Sequence, residues 1–523
     1  MISSVSHLVR LARAGFVFAR EGVFAMVDPL MLPAPARLGL RLARLIERPR
    51  TASSDGRLAT ALTELGPTYV KLGQFLATRP DVVGARVARE LESLQDRMPP
   101  FSQSEAEATV AAALDKPVKA AFTSFGPPVA AASIAQVHRA EVMTESGPRA
   151  VAVKVLRPGI ERRFKADLDA FYFAARKGEG MSSEGRRLRL IEVVDILARS
   201  VRLEMDLRLE AAALSELTEN TKDDPGFRVP TVDWDRTARE VLTLEWIDGT
   251  PLNDRAMLEA KGFDLPLLGR TVIQSFLRHA LRDGFFHADM HPGNLFVDDE
   301  ARLVAVDFGI MGRLGPKERR FLAEILYGFI TRDYYRTAEV HFEAGYVPRH
   351  PSVEDFAQAI RAIGEPIHNR AAEDISMARL LTLLFEVTAL FDMRTRPELL
   401  LLQKTMVVVE GVGRSLDPKL DMWKTAEPVV REWIERNLGP LGRIEGAAEG
   451  AGEIGRFIGR VPTLLTRAGT VLDQLDDATR DGLKLDPETV AAIGEAEAHR
   501  NRWITRGIWV IAVLLLWVVL KAF

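Results

Sequence analysis

Residues 287–309 read HADMHPGNLFVDDEARLVAVDFG, and this stretch decides the fold class. It opens with the spacing H-x-D-x-x-x-x-N, in which the aspartate can position an attacking oxygen and the asparagine can bind a metal. Asp289 and Asn294 occupy these two places. A hairpin-like pair of strands follows, and its second strand, residues 303–306, ends at Asp307-Phe308-Gly309. Because an aspartate at such a strand end can hold a cation that bridges nucleotide phosphates, the stretch predicts a phosphoryl-transfer site.

Two charged residues that such a site requires lie upstream. Lys154 ends the apolar run Val151-Ala152-Val153-Lys154, where a lysine can bind phosphates. A helical segment further along contains Glu204, Asp206 and Glu210, and we expect Glu210 to pair with Lys154. Glu204 and Glu210 are six residues apart, so they do not share one helical face and are expected to have different partners. A solvated acidic face is the alternative interpretation of this segment.

Two departures from ordinary protein kinases stand out. Where a glycine-rich loop would cover the phosphates, the chain has Ala130, Ala131, Ala132 and Ser133. Glycine lets a backbone approach phosphates and adopt positive φ, whereas alanine restricts both, so we expect altered nucleotide handling. After Gly309 the chain passes directly into a helical pattern and contains no A-P-E sequence, so the usual platform for a peptide substrate is predicted to be missing.

The periodicity of apolar residues predicts an α+β, two-lobed architecture with a helical extension before the lobes. Residues 51–116 are predicted to form the extension, and residues 117–249 the lobe that carries most of the strands. Residues 250–430 are predicted to form a helical lobe that includes the hairpin, followed by a helical or linker region at 431–502.

Both ends of the chain carry sequences suited to a membrane. Residues 1–50 interleave arginines with apolar side chains and are predicted to form a basic amphipathic segment. Residues 503–523 contain a run without charges at 507–520, flanked by basic and tryptophan residues. This run predicts a single C-terminal transmembrane helix, and the basic residues before it would keep the body of the protein cytoplasmic. A buried terminal helix is the alternative.

Composition disfavours or excludes several classes of protein and of site. The 523 residues have a formal net charge of −3 and 27% charged residues, which disfavours both nucleic acid as a partner and wholesale disorder. There is no cysteine, so disulfides, thiol nucleophiles and cysteine-ligated metal sites are excluded.

A further motif, Lys71-Leu72-Gly73-Gln74, lies in the helical extension and reads K-x-G-Q, and residues 91–96 read L-x-x-L-Q-D. Together with the alanine-rich loop, Glu204-x-Asp206 and the phosphoryl-transfer residues, these motifs run in order over roughly residues 60–330. In this set of motifs the chain resembles the UbiB family of atypical, protein-kinase-like proteins, called ADCK or Coq8 types in eukaryotes.

The resemblance implies a two-lobed protein-kinase-like fold in which the extension covers the active site. Lys71 and Gln74 would reach into the space where a protein substrate would lie, and Lys71 would pair with Glu204 or Asp206. ATP and Mg²⁺ are the expected cofactors. The residues expected to act in catalysis are Asp289, Lys154, Lys71 and Gln74, with Asn294 and Asp307 as metal ligands. The residues expected to contact the nucleotide are Ala130, Ala131, Ala132, Ser133, Lys154, Glu210, Glu245 and Ile247.

The resemblance also implies an activity, namely an ATPase or small-molecule kinase that supports ubiquinone (coenzyme Q) biosynthesis at a bacterial inner membrane. Its expected partners are membrane lipid, quinone-precursor lipids and other enzymes of ubiquinone biosynthesis. Three alternatives remain: a nucleotide-binding pseudokinase-like scaffold, a regulator of polyprenylphenol hydroxylation, and a true protein kinase. Retention of Asp289, Asn294 and Asp307 favours an enzyme over a scaffold.

Overall fold

A computed structural model describes most of the chain before residue 440. The described residues are 2–26, 44–48, 56–77, 83–92, 94, 98–181, 186, 188–348, 350–368, 387, 390–391, 393 and 397–439. The chain divides into a compact unit, Met1–Ile434, and a second unit, Glu435–Phe523, of which the description covers only the first five residues. The predicted transmembrane helix at 503–523 therefore lies outside the described residues. Among the helices that are described, none combines the length and the apolar character needed to cross a bilayer.

The N-terminal extension is helical, as predicted. Helix α1 (Ile2–Arg20) belongs to the N-terminal segment predicted at 1–50, and the extension contains α2 (Arg57–Leu65), α3 (Pro67–Ala77) and α4 (Ala85–Glu92). Gly66 separates α2 from α3 at φ 104°, a conformation that favours glycine, and Pro67 then begins α3 with its φ already set. Apolar residues of α2 and α3 share one core with the helices of the first lobe, so the extension is an integral part of that lobe.

The first lobe is built on a four-stranded antiparallel sheet. Its strands are β1 (Ser124–Ala131), β2 (Ala135–Thr144), β3 (Gly147–Leu156) and β5 (Val241–Glu245), in the spatial order β1-β2-β3-β5. Its helices are α5 (Gln103–Leu114), which comes from the range predicted for the extension, α6 (Val118–Ala121), α7 (Ile160–Met181), α8 (Leu190–Glu204) and α9 (Leu207–Thr221). The strand β4 (Phe227–Arg228) follows α9 and joins a second sheet.

The first strand begins later than the sequence predicted. On the sequence alone, the apolar run at 121–125 predicts a strand and Gly126-Pro127-Pro128 predicts a turn, but Ala121 ends α6, and Gly126-Pro127-Pro128 lies within β1. The prolines are tolerated because β1 is an edge strand, and its pairing with β2 is irregular on both sides of Pro128. As a result Ala130 and Ala131 end a strand, whereas the sequence had placed them in a loop.

The second lobe is mainly helical and carries the predicted hairpin. Its helices are α10 (Arg255–Ala260), α11 (Leu265–Arg278), α12 (Pro316–Thr331), α13 (Tyr334–Glu343), α14 (Val353–His368), α15 (Pro397–Leu416) and α16 (Met422–Leu438). Its strands are β6 (Thr250–Pro251), β7 (Phe285–His287), β8 (Leu295–Val297), β9 (Leu303–Ala305) and β10 (Met311–Arg313). The hairpin is confirmed, since β8 and β9 pair antiparallel, and β4 adds to it in parallel.

A π-helical turn, residues 279–283, connects α11 to β7 and so sets where β7 begins. Arg282 of this turn donates to both carboxylate oxygens of Asp224, which lies just after α9, and to the Asn220 carbonyl oxygen at 2.9 Å. The nearly buried Asp224 carboxylate also lies 3.2 Å from Nε2 of His279. The end of α9 is thereby joined to the turn that precedes β7.

His138 and His341 give the fold a predictable pH dependence. Burial lowers the pKa of His138 and of His341. Unfolded histidines have a pKa near 6.5, so below that pH the unfolded chain binds protons that the folded chain excludes. We therefore expect the free energy of unfolding to fall as the pH decreases from 7.5 to 5.5, by at most about 1.4 kcal/mol per pH unit for each histidine.

Urea denaturation at a series of pH values measures this slope. His341 packs among aromatic rings, with its ring centroid 5.3 Å from that of Phe356. His341→Phe should keep this packing and make the slope shallower, because one titrating group is lost. A slope equal to the parent's would show that His341 does not contribute to it.

Candidate active site

Lys154 is the centre of the candidate site. Along β3 the side chains of Val151, Val153 and Val155 are fully buried in the sheet core, so the alternation of a strand turns Lys154 to the opposite face. There its Nζ donates to Glu210 of α9, 2.9 Å from Oε1 and 3.0 Å from Oε2. The pairing expected from the sequence is present.

The same ammonium group joins the two lobes. Nζ of Lys154 lies 2.8 Å from Oδ1 of Asp307, which follows β9. Burial of Lys154 opposes its charge, but the carboxylates of Asp307 and Glu210 hold its pKa above the ordinary value. The charge of Lys154 in turn lowers the pKa of Asp307 to about 2. Asp307 is therefore an anion throughout the neutral range.

Asp307 has an uncommon backbone conformation for a residue other than glycine, with φ 62°. Aspartate tolerates this left-handed region better than most residues, and such conformations cluster at functional sites. The side chain of Asp307 is 52% exposed, whereas that of the neighbouring Lys154 is 16% exposed. The conformation therefore leaves a fully charged carboxylate accessible to a ligand beside a largely buried lysine.

The predicted catalytic aspartate is held by its neighbours along the loop. The backbone N–H of Asp289 donates to Nδ1 of His287 at 3.0 Å, while Nε2 of His287 lies 3.1 Å from the Val306 carbonyl oxygen. Because Nδ1 accepts, the proton of this imidazole is on Nε2, and burial lowers its pKa. Nδ2 of Asn294 donates to the Asp289 carbonyl oxygen at 3.1 Å. The structure thus brings Asp289 and Asn294 together at the start of the hairpin.

The donor set fits Mg²⁺ bound together with a nucleotide. Asp307 offers carboxylate oxygens and Asn294 an amide oxygen, which are the ligand types that Mg²⁺ prefers. No group of three or more His, Cys, Asp or Glu side chains suited to a metal occurs within the described part of the chain. Mg²⁺ commonly binds through one or two protein oxygens and completes its shell with phosphates and water, so these two residues suffice.

Lys71 of the K-x-G-Q motif contacts Glu204 at the end of α8 in an ion pair whose two side chains are each 11% exposed. The sequence left Glu204 and Asp206 open as partners. The structure selects Glu204, because Asp206 begins α9 and accepts from the Arg208 backbone and guanidinium. The charge of Lys71 also helps to lower the pKa of Asp307.

Close helix packing explains why the third residue of this motif is glycine. A Cβ at Gly73 would lie 2.6 Å from Cδ1 of Leu62 and 3.1 Å from Cδ2 of Leu94, so a larger residue would push α3 away from α2. Gln74, the last residue of the motif, is half-buried on the same helix. Its catalytic role stays a prediction.

The four residues of the alanine-rich stretch that are predicted to contact the nucleotide lie in a strand and in the turn that follows it. Ala130 and Ala131 end β1, and Ala132 and Ser133 form the turn into β2, closed by the Ala132 N–H donating to the Ala135 carbonyl oxygen at 2.8 Å. Ala130 is exposed and Ser133 is buried.

The other two residues lie at or beyond the end of β5. The carboxylate of Glu245 accepts from Arg228 at 2.9 Å and from the Thr231 N–H at 3.2 Å. This side chain is therefore already hydrogen-bonded to residues next to the strand. Ile247 is half-buried two residues further along. A nucleotide contact from either residue stays a prediction.

Helix α9 is tied to its surroundings at three levels. Near its start, Glu210 accepts from Nζ of Lys154 in β3 at 2.9 Å. Near its middle, Glu216 accepts from both Nη atoms of Arg313 in β10, each at 2.8 Å. Just beyond its end, Asp224 bonds Arg282, as described above. The helix is thereby attached to β3, to β10 and to the turn that precedes β7.

Sequence reasoning missed Arg157, Arg282 and Arg313, which organise this site. None of the three lies in a recognisable motif. Each bonds a group that is distant along the chain and close only in the folded structure. The nearest available signal was the position of Arg157, three residues after Lys154 on the chain.

The two-lobed fold, with a lysine–glutamate pair in the first lobe and Asp289, Asn294 and Asp307 in the second, defines an atypical protein-kinase-like protein. A family model described as the ABC1 atypical kinase-like domain matches residues 93–341, and one described as the UbiB helical domain matches residues 360–421. The chain belongs to the UbiB family of these proteins.

Curated relatives agree with this family. The chain is 41% identical over 448 residues to a probable protein kinase UbiB of Marinobacter nauticus, covering 84% of this chain and 81% of that protein. It is also 41% identical over 414 residues to one of Azotobacter vinelandii, covering 78% and 76% of the two chains. A third, of Cronobacter sakazakii, is 39% identical over 470 residues, covering 88% and 86%.

Proposed function

We propose that the protein is an ATP- and Mg²⁺-dependent atypical kinase or ATPase. The observation that carries this proposal is that Lys154 bonds both Glu210 of the first lobe and Asp307 of the second, at 2.9 and 2.8 Å. Phosphoryl transfer depends on positioning and charge neutralisation more than on covalent catalysis, and this arrangement supplies both.

Each residue then has a defined task. Lys154, held by Glu210, would orient the phosphates of the nucleotide, and Asp307 and Asn294 would hold Mg²⁺. The bound Mg²⁺ would neutralise charge on the phosphates. Asp289 would accept the proton of the attacking hydroxyl or water, and His287 and Asn294 hold its backbone through its N–H and carbonyl oxygen.

The acceptor is proposed to be a small molecule or water. Lys71 of the extension pairs with Glu204, six residues before Glu210, and its charge helps to lower the pKa of Asp307, which supports a position of the K-x-G-Q motif at the site. Together with the missing A-P-E platform, this disfavours a folded peptide as substrate. The resemblance of the motifs to the UbiB family supports a role in ubiquinone biosynthesis, with membrane and quinone-precursor lipids as partners and a C-terminal anchor at 503–523.

ATP hydrolysis by the purified full-length protein tests the proposal. Hydrolysis should require Mg²⁺, respond to a quinone-precursor phenol and to anionic liposomes, and fall sharply in Asp289→Asn. Binding of MgATP without hydrolysis above the level of Asp289→Asn would instead establish the pseudokinase-like scaffold. That outcome would contradict the proposed enzyme.

Replacing Lys71 should change turnover. In Lys71→Ala the Glu204 carboxylate loses its partner in a site that is largely buried, and the positive charge beside Asp307 disappears. We expect the rate of ATP hydrolysis to change by at least about fivefold, or autophosphorylation to appear, because one lost ion pair near the reacting groups is worth about 1 kcal/mol or more.

Hydrolysis and incorporation of labelled phosphate would be measured side by side. Lys222→Ala removes an exposed lysine from the end of α9 and serves as the control. If Lys71→Ala behaved like Lys222→Ala in both assays, the K-x-G-Q helix would have no part in the active site.

A further inference from the structure

Residues 98–101, which follow α4 within the extension, are bonded to the turn between β1 and β2. The Met98 N–H donates to the Ala131 carbonyl oxygen at 3.2 Å. The Phe101 N–H donates to Oε1 of Gln136 at 2.9 Å, and Nε2 of Gln136 returns a bond to the Phe101 carbonyl oxygen at 3.3 Å. Residues 98–101 thus lie against the alanine-rich turn from outside it.

Arg157 holds both sides of this contact. Its Nε and Nη2 donate to the Ala132 carbonyl oxygen at 3.0 and 2.9 Å, and Nη2 also donates to the Pro99 carbonyl oxygen at 2.8 Å. Its guanidinium carbon lies 5.6 Å from the centre of the Phe101 ring. One side chain therefore links the alanine-rich turn to residues 98–101 of the extension.

The position of Arg157 on the chain makes this link relevant to the site. Arg157 follows Lys154 by three residues, and its own N–H donates to the Ile134 carbonyl oxygen at 2.8 Å. The turn is therefore fixed relative to the strand that carries Lys154. A planar guanidinium can bond two carbonyl oxygens in a set geometry, which a lysine ammonium on a flexible chain does less well.

We propose that Arg157 is a positioning residue of the nucleotide site, which fixes the Ala131–Ala132 turn relative to Lys154 and couples that turn to the extension. The proposal rests on the proposed function, since it concerns the turn expected to cover the phosphates. Without glycines the turn has less freedom to adapt to a nucleotide. Arg157 makes such adaptation unnecessary, because it holds the turn in place before the nucleotide binds. Pre-organisation of this kind improves affinity by reducing the ordering that binding requires.

Amide hydrogen exchange without nucleotide tests the positioning itself. In Arg157→Gln the amides of Met98 and Ala132, which bond across and within the turn, should exchange about tenfold faster or more, because local opening becomes easier. Arg236→Gln is the matched control. Arg236 also donates from Nε to a backbone carbonyl oxygen of the first lobe, that of Ala121 at 2.7 Å, but outside the turn.

MgATP affinity, measured by calorimetry, tests the consequence for the site. The Kd should rise about tenfold in Arg157→Gln, equivalent to about 1.4 kcal/mol, and by less in Arg157→Lys. Arg236→Gln should leave the Kd unchanged even if it lowers the melting temperature. Arg157→Lys retains the charge and keeps the test usable should Arg157→Gln fold poorly.

The outcomes separate this inference from the proposed function. A parent protein that bound no MgATP would overturn the proposed function and with it the nucleotide part of the inference, while exchange would still decide whether Arg157 holds the turn. Unchanged exchange in Arg157→Gln would overturn the inference. Faster exchange with an unchanged Kd would overturn it as well, because Arg157 would then be only structural.

Discussion

Asp307→Asn is expected to abolish Mg²⁺-dependent nucleotide binding, with a loss of affinity of about 100-fold or more. Asparagine keeps the shape of the side chain but removes the charge, and Mg²⁺ selects charged oxygen ligands. Asp307 is charged at neutral pH, since Lys154 lowers its pKa to about 2, and half of its side chain is accessible. The fold should survive, because Lys154 keeps its bonds to Glu210.

Calorimetric titration with MgATP, and with ATP in the presence of EDTA, measures this loss. Asp299→Asn is the matched control, since Asp299 lies in the same hairpin, is 78% exposed and contacts only Lys261 among the ion pairs of the described residues. Binding of MgATP by Asp307→Asn with the parent's affinity would refute Asp307 as the metal ligand.

Lys154→Met is expected to reduce both turnover and stability. Loss of the ammonium removes the charge that would orient the phosphates, which we expect to lower the rate of ATP hydrolysis by about 10²- to 10³-fold. It also leaves the buried Glu210 carboxylate without its cation, which typically destabilises a fold by about 3–5 kcal/mol. Hydrolysis rates and urea denaturation measure the two effects separately.

The double variant Lys154→Met with Glu210→Gln separates the two causes. Removing the stranded charge should recover much of the stability, whereas turnover should stay low because the phosphates still lack their cation. A double variant that recovered turnover along with stability would show that Lys154 acts only through folding. Parental turnover in Lys154→Met alone would refute its role altogether.

The sequence predicted the pairs of this site better than their surroundings. Lys154 with Glu210 followed from motif order alone, and Lys71 was assigned two partners, of which the structure selects Glu204. That choice depends on where α8 ends and α9 begins, which leaves Asp206 to cap α9. Spacing along the chain cannot fix such a boundary to one residue.

Two other features were beyond the reach of sequence patterns. The prediction for 121–128 stopped a strand before Gly126-Pro127-Pro128 because these residues are typical of a turn, yet β1 runs through them since an edge strand tolerates them. The bonds of Arg157 go to backbone carbonyl oxygens of Pro99 and Ala132, and a carbonyl oxygen carries no sequence signal. The anchor predicted at 503–523 lies outside the described residues and stays a prediction.

The three attachments of α9 have a consequence for how this protein can be controlled. In many kinases, phosphorylation of the segment after the D-F-G motif brings the equivalent helix into position. Here residues 307–316 read DFGIMGRLGP, which offers no serine, threonine or tyrosine to receive a phosphate. The bidentate Arg313–Glu216 pair instead tethers β10 of this segment to α9 by unmodified side chains. The position of α9 therefore does not depend on phosphorylation of residues 307–316.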